Sequence, residues 1–299
     1  MWLALAFVSA TLLGFYDVAK KQAVKHNSAA VVLLLNTLFS SIIFLPVIIS
    51  AEGDLGWFED SIFSTHSEPF SSHILIIIKS VIVLSSWIFG YIGIKHLPLT
   101  LVGPINATRP VLVLLGAMLI FGERLNAMQW TGVTLALVSI FLLSRAGKRE
   151  GIDFTRNRWI LCIAAAALLG AVSGLYDRYI MRELEPLFVQ SWYNIYQLAM
   201  MSVVVIAIAL IQGKESLKFQ WTWAILMISV LLSAADLAYF VALSDGEAMI
   251  SVVSMIRRGS VVVSFSCGAL LLHEKNLRAK AIDLIFILVG MIFLWLGSR

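Results

Sequence analysis

Gly14-Phe15-Tyr16-Asp17 and Gly174-Leu175-Tyr176-Asp177 are two versions of one short phrase, each late in an apolar run. More matches follow in step. Ser85 and Tyr91 recur at the same spacing as Ser233 and Tyr239. Eighteen residues after each of those tyrosines stands an arginine, Arg109 in the first copy and Arg257 in the second. Each copy then reaches a glutamate, Glu123 or Glu274, with about three extra residues before the second. The chain thus divides into two related units, 1–147 and 156–299, within one integrated body.

Outward from this repeat, apolar runs fall at 2–19, 29–50, 73–94, 98–121, 127–144, 158–181, 187–211, 220–243, 248–272 and 281–297. A spanning helix takes about 20 apolar residues, and a chain in lipid must satisfy its own backbone polar groups, which makes these runs helices. The expected fold is an all-α membrane protein with ten transmembrane helices, arranged as two inverted five-helix repeats. Five is odd, so the second unit enters the membrane upside down. Inverted repeats mark secondary transporters, whose substrate site lies near midplane between the units.

Composition agrees. Of 299 residues, 60% are apolar and 13% charged, with a mean hydropathy of +0.91. Soluble globular chains carry about 25% charged residues, so soluble, disordered and nucleic-acid-binding readings are excluded. The net charge of +4 comes from 22 Lys+Arg against 18 Asp+Glu. Its placement matters more than its sum. The odd-numbered loops hold fourteen Lys/Arg, while the opposite side is assigned four, Lys79, Arg124, Arg182 and Arg299. The 51–72 loop holds Glu52, Asp54, Glu59, Asp60 and Glu68 and no Lys or Arg. The positive-inside rule then puts the odd loops in the cytoplasm and both termini outside. The first thirteen residues lack the basic start of a signal peptide. With no targeting tail in view, a multi-pass protein of a bacterial inner cell membrane is expected.

Pro110, Gly122-Glu123-Arg124-Leu125, Gln129 and Gly132 follow one another around the fourth and fifth runs. With the five-plus-five pattern, this stretch resembles the EamA-like branch of the drug/metabolite transporter superfamily. The second copy departs from it, with Val261, His273-Glu274-Lys275 and Asp283 at the matching places. The resemblance implies the ten-helix fold and transport of small molecules. It also implies cytoplasmic termini, against the charge count, which is retained. A fainter likeness joins Arg257-Arg258 to the Lys-Arg pair of the triose-phosphate and nucleotide-sugar translocator branch, displaced by about one turn. That likeness implies a role in holding phosphate.

Asp17, Arg109, Asp177, Arg178, Asp236, Arg257 and Arg258 lie inside apolar runs or near their polar ends. Each costs a few kcal/mol at the bilayer centre (roughly 2.5–3.5) and should face the bundle interior. Thr100, Gly103, Asn106 and Arg109 form a polar stripe at three-residue steps; Ser251, Ser254 and Arg257 or Arg258 form a similar one. Facing stripes that end in guanidinium forks suit a carboxylate or phosphate. The competing reading pairs the arginines with Asp17, Asp177 and Asp236 and leaves them structural. The aspartates could take protons in coupling, or pair locally, as Asp17 would with Lys20 or Lys21 at i+3 and i+4. Lys20 and Lys21 reaching into the pocket is a further option. Helix 7 opens with Gln190, Trp192, Tyr193, Asn194, Tyr196 and Gln197, at a depth comparable to Asn36 and Ser40 in helix 2. These, with Tyr91 and Tyr239, either line a pocket for a small organic molecule or form part of the interfacial belt. Gly170-x-x-x-Gly174 reads as a close-contact site between helices, and Glu123 and Glu274 as structural or gating.

Enzyme chemistry finds little support. Cys162 and Cys267 lie in apolar runs away from any Cys/His cluster, and the five histidines (His26, His66, His73, His96, His273) lack ligand spacing. No P-loop, nucleophile elbow or zinc-protease motif occurs. The expectation is therefore a secondary transporter of a small anionic metabolite, phosphorylated or carboxylate, working by alternating access. It would have no cofactor or metal, with protons or a counter-substrate as coupling partners, as a monomer or homodimer in the lipid bilayer. The alternatives are an exporter of amphipathic or cationic compounds, which would use the aromatic residues and Asp236, and, more remotely, an intramembrane enzyme or lipid-handling protein.

Overall fold

A computed structural model of the chain describes residues 2–58, 61, 63–109, 111, 112, 115, 126–148, 156–180, 184–244, 256–270 and 277–297. Among the described residues there are ten α-helices and no strand. In chain order they are α1 (Trp2–Ala23), α2 (Ala29–Glu52), α3 (Phe70–His96), α4 (Leu99–Ala107), α5 (Ala127–Lys148), α6 (Arg158–Ile180), α7 (Pro186–Gln212), α8 (Trp223–Ser244), α9 (Ser260–Leu270) and α10 (Leu277–Gly297). Among the described residues, five stretches are long and apolar enough to cross a membrane: α1, α2, α3, Arg158–Asp177 of α6, and α7. Parts of the fourth and ninth apolar runs, including Pro110, Ser251 and Ser254, lie outside the described residues, as do Gly122-Glu123-Arg124-Leu125 and Glu274.

The helix ends follow local chemistry. Pro98 disfavours a helical conformation at the residue before it, so α3 stops and Leu97 turns extended (φ −112°, ψ 150°), its N–H still donating to the Gly93 carbonyl at 3.0 Å. Pro186 opens α7, where its missing N–H has no helical partner to lose. Gly213, at φ +80°, ends the same helix in a conformation that side chains disfavour. The connections gather at opposite ends of the bundle. Asn27, between α1 and α2, donates to the Gln220 carbonyl at 3.0 Å, while Lys95 donates to the Asn27 carbonyl at 2.7 Å. The α2–α3 connection instead meets the start of α7, where Thr65 Oγ1 donates to Glu185 Oε2 at 2.8 Å.

The helices pair across the repeat. α1 lies along α8 and α3 along α6, while α2 meets α7, α4 meets α9 and α5 meets α10. Exchanging the two units leaves that scheme unchanged. A serine ties each swapped pair: Ser9 Oγ of α1 donates to the Ala235 carbonyl at 2.7 Å, and Ser86 Oγ of α3 donates to the Ala166 carbonyl at 2.8 Å. Polarity is arranged inside out. On α7, Leu210 and Ile211 are 81% and 82% exposed, whereas Gln190 and Gln197 are buried. Water would not tolerate such an outer face, but hydrocarbon does.

α3 and α6 pack tightly at Gly93, where an added Cβ would overlap the Ile163 side chain and stand 3.4 Å from the Trp159 carbonyl oxygen. Gly93→Leu is therefore expected to cost about 1–3 kcal/mol through overpacking. A lowered midpoint of thermal unfolding in detergent would register it; an unchanged midpoint would contradict this contact.

Candidate functional site

Asp236 is buried within the bundle, Asp17 and Asp177 are partly exposed, and each holds a cation. Asp17 Oδ1 accepts from Lys20 Nζ at 2.7 Å, one turn along α1. Lys20 also lies 4.4 Å from the centre of the Tyr16 ring and 5.4 Å from that of Tyr91. The hydroxyls of those two tyrosines are 3.2 Å apart, which joins α1 to α3. Asp177 of α6 pairs with Lys79 of α3. Asp236 of α8 pairs with Arg257, whose guanidinium rests 4.2 Å from the Tyr239 ring centre. Tyr193 of α7 stands between the last two pairs: its ring faces Lys79 at 5.4 Å and its hydroxyl donates to Asp236 Oδ2 at 3.3 Å.

Among the described side chains, the reading that pairs the arginines with the aspartates holds for Arg257. Two lysines take the other carboxylates, and the sequence assignment of Lys79 to the loops is corrected here. Lys79 is buried, about three turns into α3. At the repeat-matched position of α8 stands Met227, while Asp236 matches Ile88 of α3. These charged groups are thus where the two halves differ.

Arg109 and Arg258 have no carboxylate at ion-pair distance among the described residues. Arg109 donates through one terminal nitrogen to Asn106 Oδ1 at 3.2 Å and, more weakly, to the Ala166 carbonyl at 3.4 Å. Its Nε is buried without a partner. Gly170 of α6 gives the guanidinium its place, since a Cβ there would stand 2.7 Å from Arg109 Cζ. The Gly170-x-x-x-Gly174 segment is a close-contact site at Gly170, and what it contacts is the arginine. Arg258 is half-buried, within electrostatic reach of Arg109 and Arg257. Three guanidinium groups from the two halves therefore share one neighbourhood with Asp17, Asp177 and Asp236.

The polar opening of α7 divides in two. Trp192 and Tyr196 stack at 5.9 Å and pack on His73 of α3, with Tyr196 Oη 2.9 Å from His73 Nδ1. Gln190, Tyr193, Asn194 and Gln197 turn inward and are buried. Asn36 of α2 accepts from Ser229 of α8 at 3.2 Å through Oδ1. Lys21 is drawn to the end of α3, where it donates to the carbonyls of Ile94 and Leu97, both at 2.6 Å. Ser254 and the Arg178 side chain lie outside the described residues. Cys162 and Cys267 are unpaired and half-buried. Among the described residues no three His, Cys, Asp or Glu side chains gather as a metal site would require.

Sequence reasoning missed Lys79 as a site residue. A usable signal existed: Lys79 lies six residues inside the 73–94 run, where a charge is costly without a partner. Its partner lies 98 residues away, which spacing along the chain cannot reveal.

Comparison with known proteins places these features. The model of a family described as the EamA-like transporter family matches residues 1–145 and 157–296. A crystal structure described only as that of a protein superposes with a TM-score of 0.67 at 15% identity, covering 100% of this chain and 98% of the other, and supports the fold alone. No curated protein matches the chain in sequence.

The Asp236–Arg257 pair, with side chains 12% and 17% exposed, offers a direct energetic check. Asp236→Ala strands a buried guanidinium and is expected to cost on the order of 3–5 kcal/mol. The double variant with Arg257→Ala should lose less than the sum of the single losses. Additive losses in detergent unfolding would contradict a mutual pair.

Proposed function

Because the chain belongs to the EamA-like transporter family, and so is a membrane transporter of small molecules, we propose that its cargo is a small anion. The proposed carrier cycle is alternating access between two inverted five-helix units, all ten helices spanning the membrane. One observation carries the anionic reading. Asp17, Asp177 and Asp236 each already hold a cation, and Arg109 and Arg258 have no carboxylate at ion-pair distance among the described side chains. Counting Lys20, Lys79, Arg109, Arg257 and Arg258 against Asp17, Asp177 and Asp236, the described centre carries two positive charges more than negative ones. Such an excess within a helix bundle favours an anion beside it. A phosphate or carboxylate offers the acceptor oxygens that guanidinium forks engage.

Export of cationic compounds would use Asp236 as its anchor, but that carboxylate is held by Arg257 and Tyr193. The proposed coupling uses protons or a counter-substrate. An anion entering the centre competes with Asp236 and Asp177 for Arg257 and Lys79.

The test is flux in proteoliposomes, after a thermal-shift screen of phosphorylated, carboxylate and cationic metabolites has identified a ligand that stabilises the protein. Arg109→Ala and Arg258→Ala should each weaken apparent affinity by about 30-fold, the equivalent of roughly 2 kcal/mol, with the protein still folded. Unchanged transport in both variants refutes the anion site.

For orientation, we propose cytoplasmic odd-numbered loops and outside termini. With Lys79 buried in α3 and Lys20 paired in the centre, the opposite side is left with Arg124, Arg182 and Arg299 against thirteen. Reporter fusions at the C-terminus should show activity on the outer face; a cytoplasmic signal overturns this orientation.

A further inference from the structure

Between α2, α7 and α8 runs a seam of buried polar side chains that the ion pairs do not use. Phe44 and Val47 of α2 meet Leu187 of α7. With the helices antiparallel, a rise of about 1.5 Å per residue sets Ser40 level with Ser191–Asn194, and Asn36 level with Gln197. Asn36 is also bonded to Ser229 of α8. Ser229, Ser233 and Asp236 follow at i, i+4 and i+7 on one face of that helix, which leads the seam to the Asp236–Arg257 pair.

The seam is rich in buried atoms without partners. Asn36 Nδ2, Ser40 Oγ, Ser191 Oγ and Ser233 Oγ have none, and neither do the amide nitrogens and oxygens of Gln190 and Gln197. Interchanging amide O and N by a ring-like flip cures nothing, because both ends of each glutamine are orphaned. Native interiors satisfy nearly all such groups. Six unsatisfied side chains along one seam mark a place built for an occupant. That occupant must accept from amide N–H groups, donate to amide carbonyls and do either with serine. A hydroxyl group has this repertoire, and a carboxylate or an ammonium ion has only half of it.

We propose that this seam binds hydroxyl groups of the cargo, so that the transported molecule is a polyhydroxylated anion. Its charged end meets Arg109 and Arg258, and its hydroxyl-bearing body lies along α2 and α7. The inference rests on the anionic reading above and adds a demand that this reading does not make.

Binding to the purified full-length protein in detergent tests this with matched probes: glycerol 3-phosphate against propyl phosphate, and gluconate against hexanoate. In at least one pair the hydroxylated member should bind about tenfold more tightly than its alkyl counterpart. Gln197→Leu and Asn36→Leu should close that gap to within about twofold while leaving the alkyl anion's affinity unchanged, which also shows that the variants are folded. Where a leucine variant loses both members, Ser233→Ala, a smaller change on the same seam, is expected to narrow the gap instead. Arg258→Ala should weaken both members alike. Equal or tighter binding of the alkyl member in both pairs, or a gap that persists in the seam variants, overturns the seam's role and leaves the anionic reading standing. If none of the four probes binds, the anionic reading falls, and this inference falls with it.

Discussion

A carboxylate inside a helix bundle in lipid needs a cation beside it, and this requirement organises the interior of the protein. Asp17, Asp177 and Asp236 are answered by Lys20, Lys79 and Arg257. The last two partnerships cross between helices, α3 to α6 and the segment before α9 to α8. Tyr193 fastens one to the other through its ring and its hydroxyl. Removing Asp236 or Asp177 leaves Arg257 or Lys79, both largely buried, without its partner. The ion pairs therefore act as constraints on how the two halves sit together, and their net contribution to stability is secondary.

The same arrangement defines what is left for chemistry. Arg109 is placed with care: Asn106 and the Ala166 carbonyl receive part of its guanidinium, and Gly170 yields the space a side chain would fill. Such placement keeps an arginine fixed in a rotamer-rich side chain that would otherwise lose much freedom on binding. Its counterpart in the second half, Arg257, is spent on Asp236, and Arg258 takes the open role beside it. Two halves with a common ancestry of sequence have thus diverged at their charged positions, which makes one site asymmetric inside a nearly symmetric frame.

Much of the fold was legible because hydropathy and repetition are written along the chain. The ends of α3 and α7 stand beside Pro98, Pro186 and Gly213, where backbone chemistry leaves little choice. The paired phrases at Asp17 and Asp177 disclosed two units, and the exchange-symmetric pairing of helices agrees with them. The site was harder. Residues one turn apart, such as Asp17 and Lys20, reveal themselves by spacing. Asp177 and Lys79 do not, because their meeting depends on α3 lying along α6, a product of the tertiary arrangement. The inward and outward members of the α7 cluster share one stretch of sequence, and only the direction of each side chain separates Tyr193 from Trp192.

The swapped pairing of α1 with α8 and α3 with α6 also bears on how such a chain is made. A polypeptide is inserted from its N-terminus, so α1 enters the membrane more than 200 residues before α8 exists. Asp17 carries its own counter-ion on the same helix and can enter as a neutral pair. Asp177 arrives to find Lys79 already in place. Asp236 alone must wait, but only for the 21 residues that separate it from Arg257. For these three carboxylates, the order in which charges meet their partners thus follows the order of synthesis, and none of the three waits long in the bilayer without one.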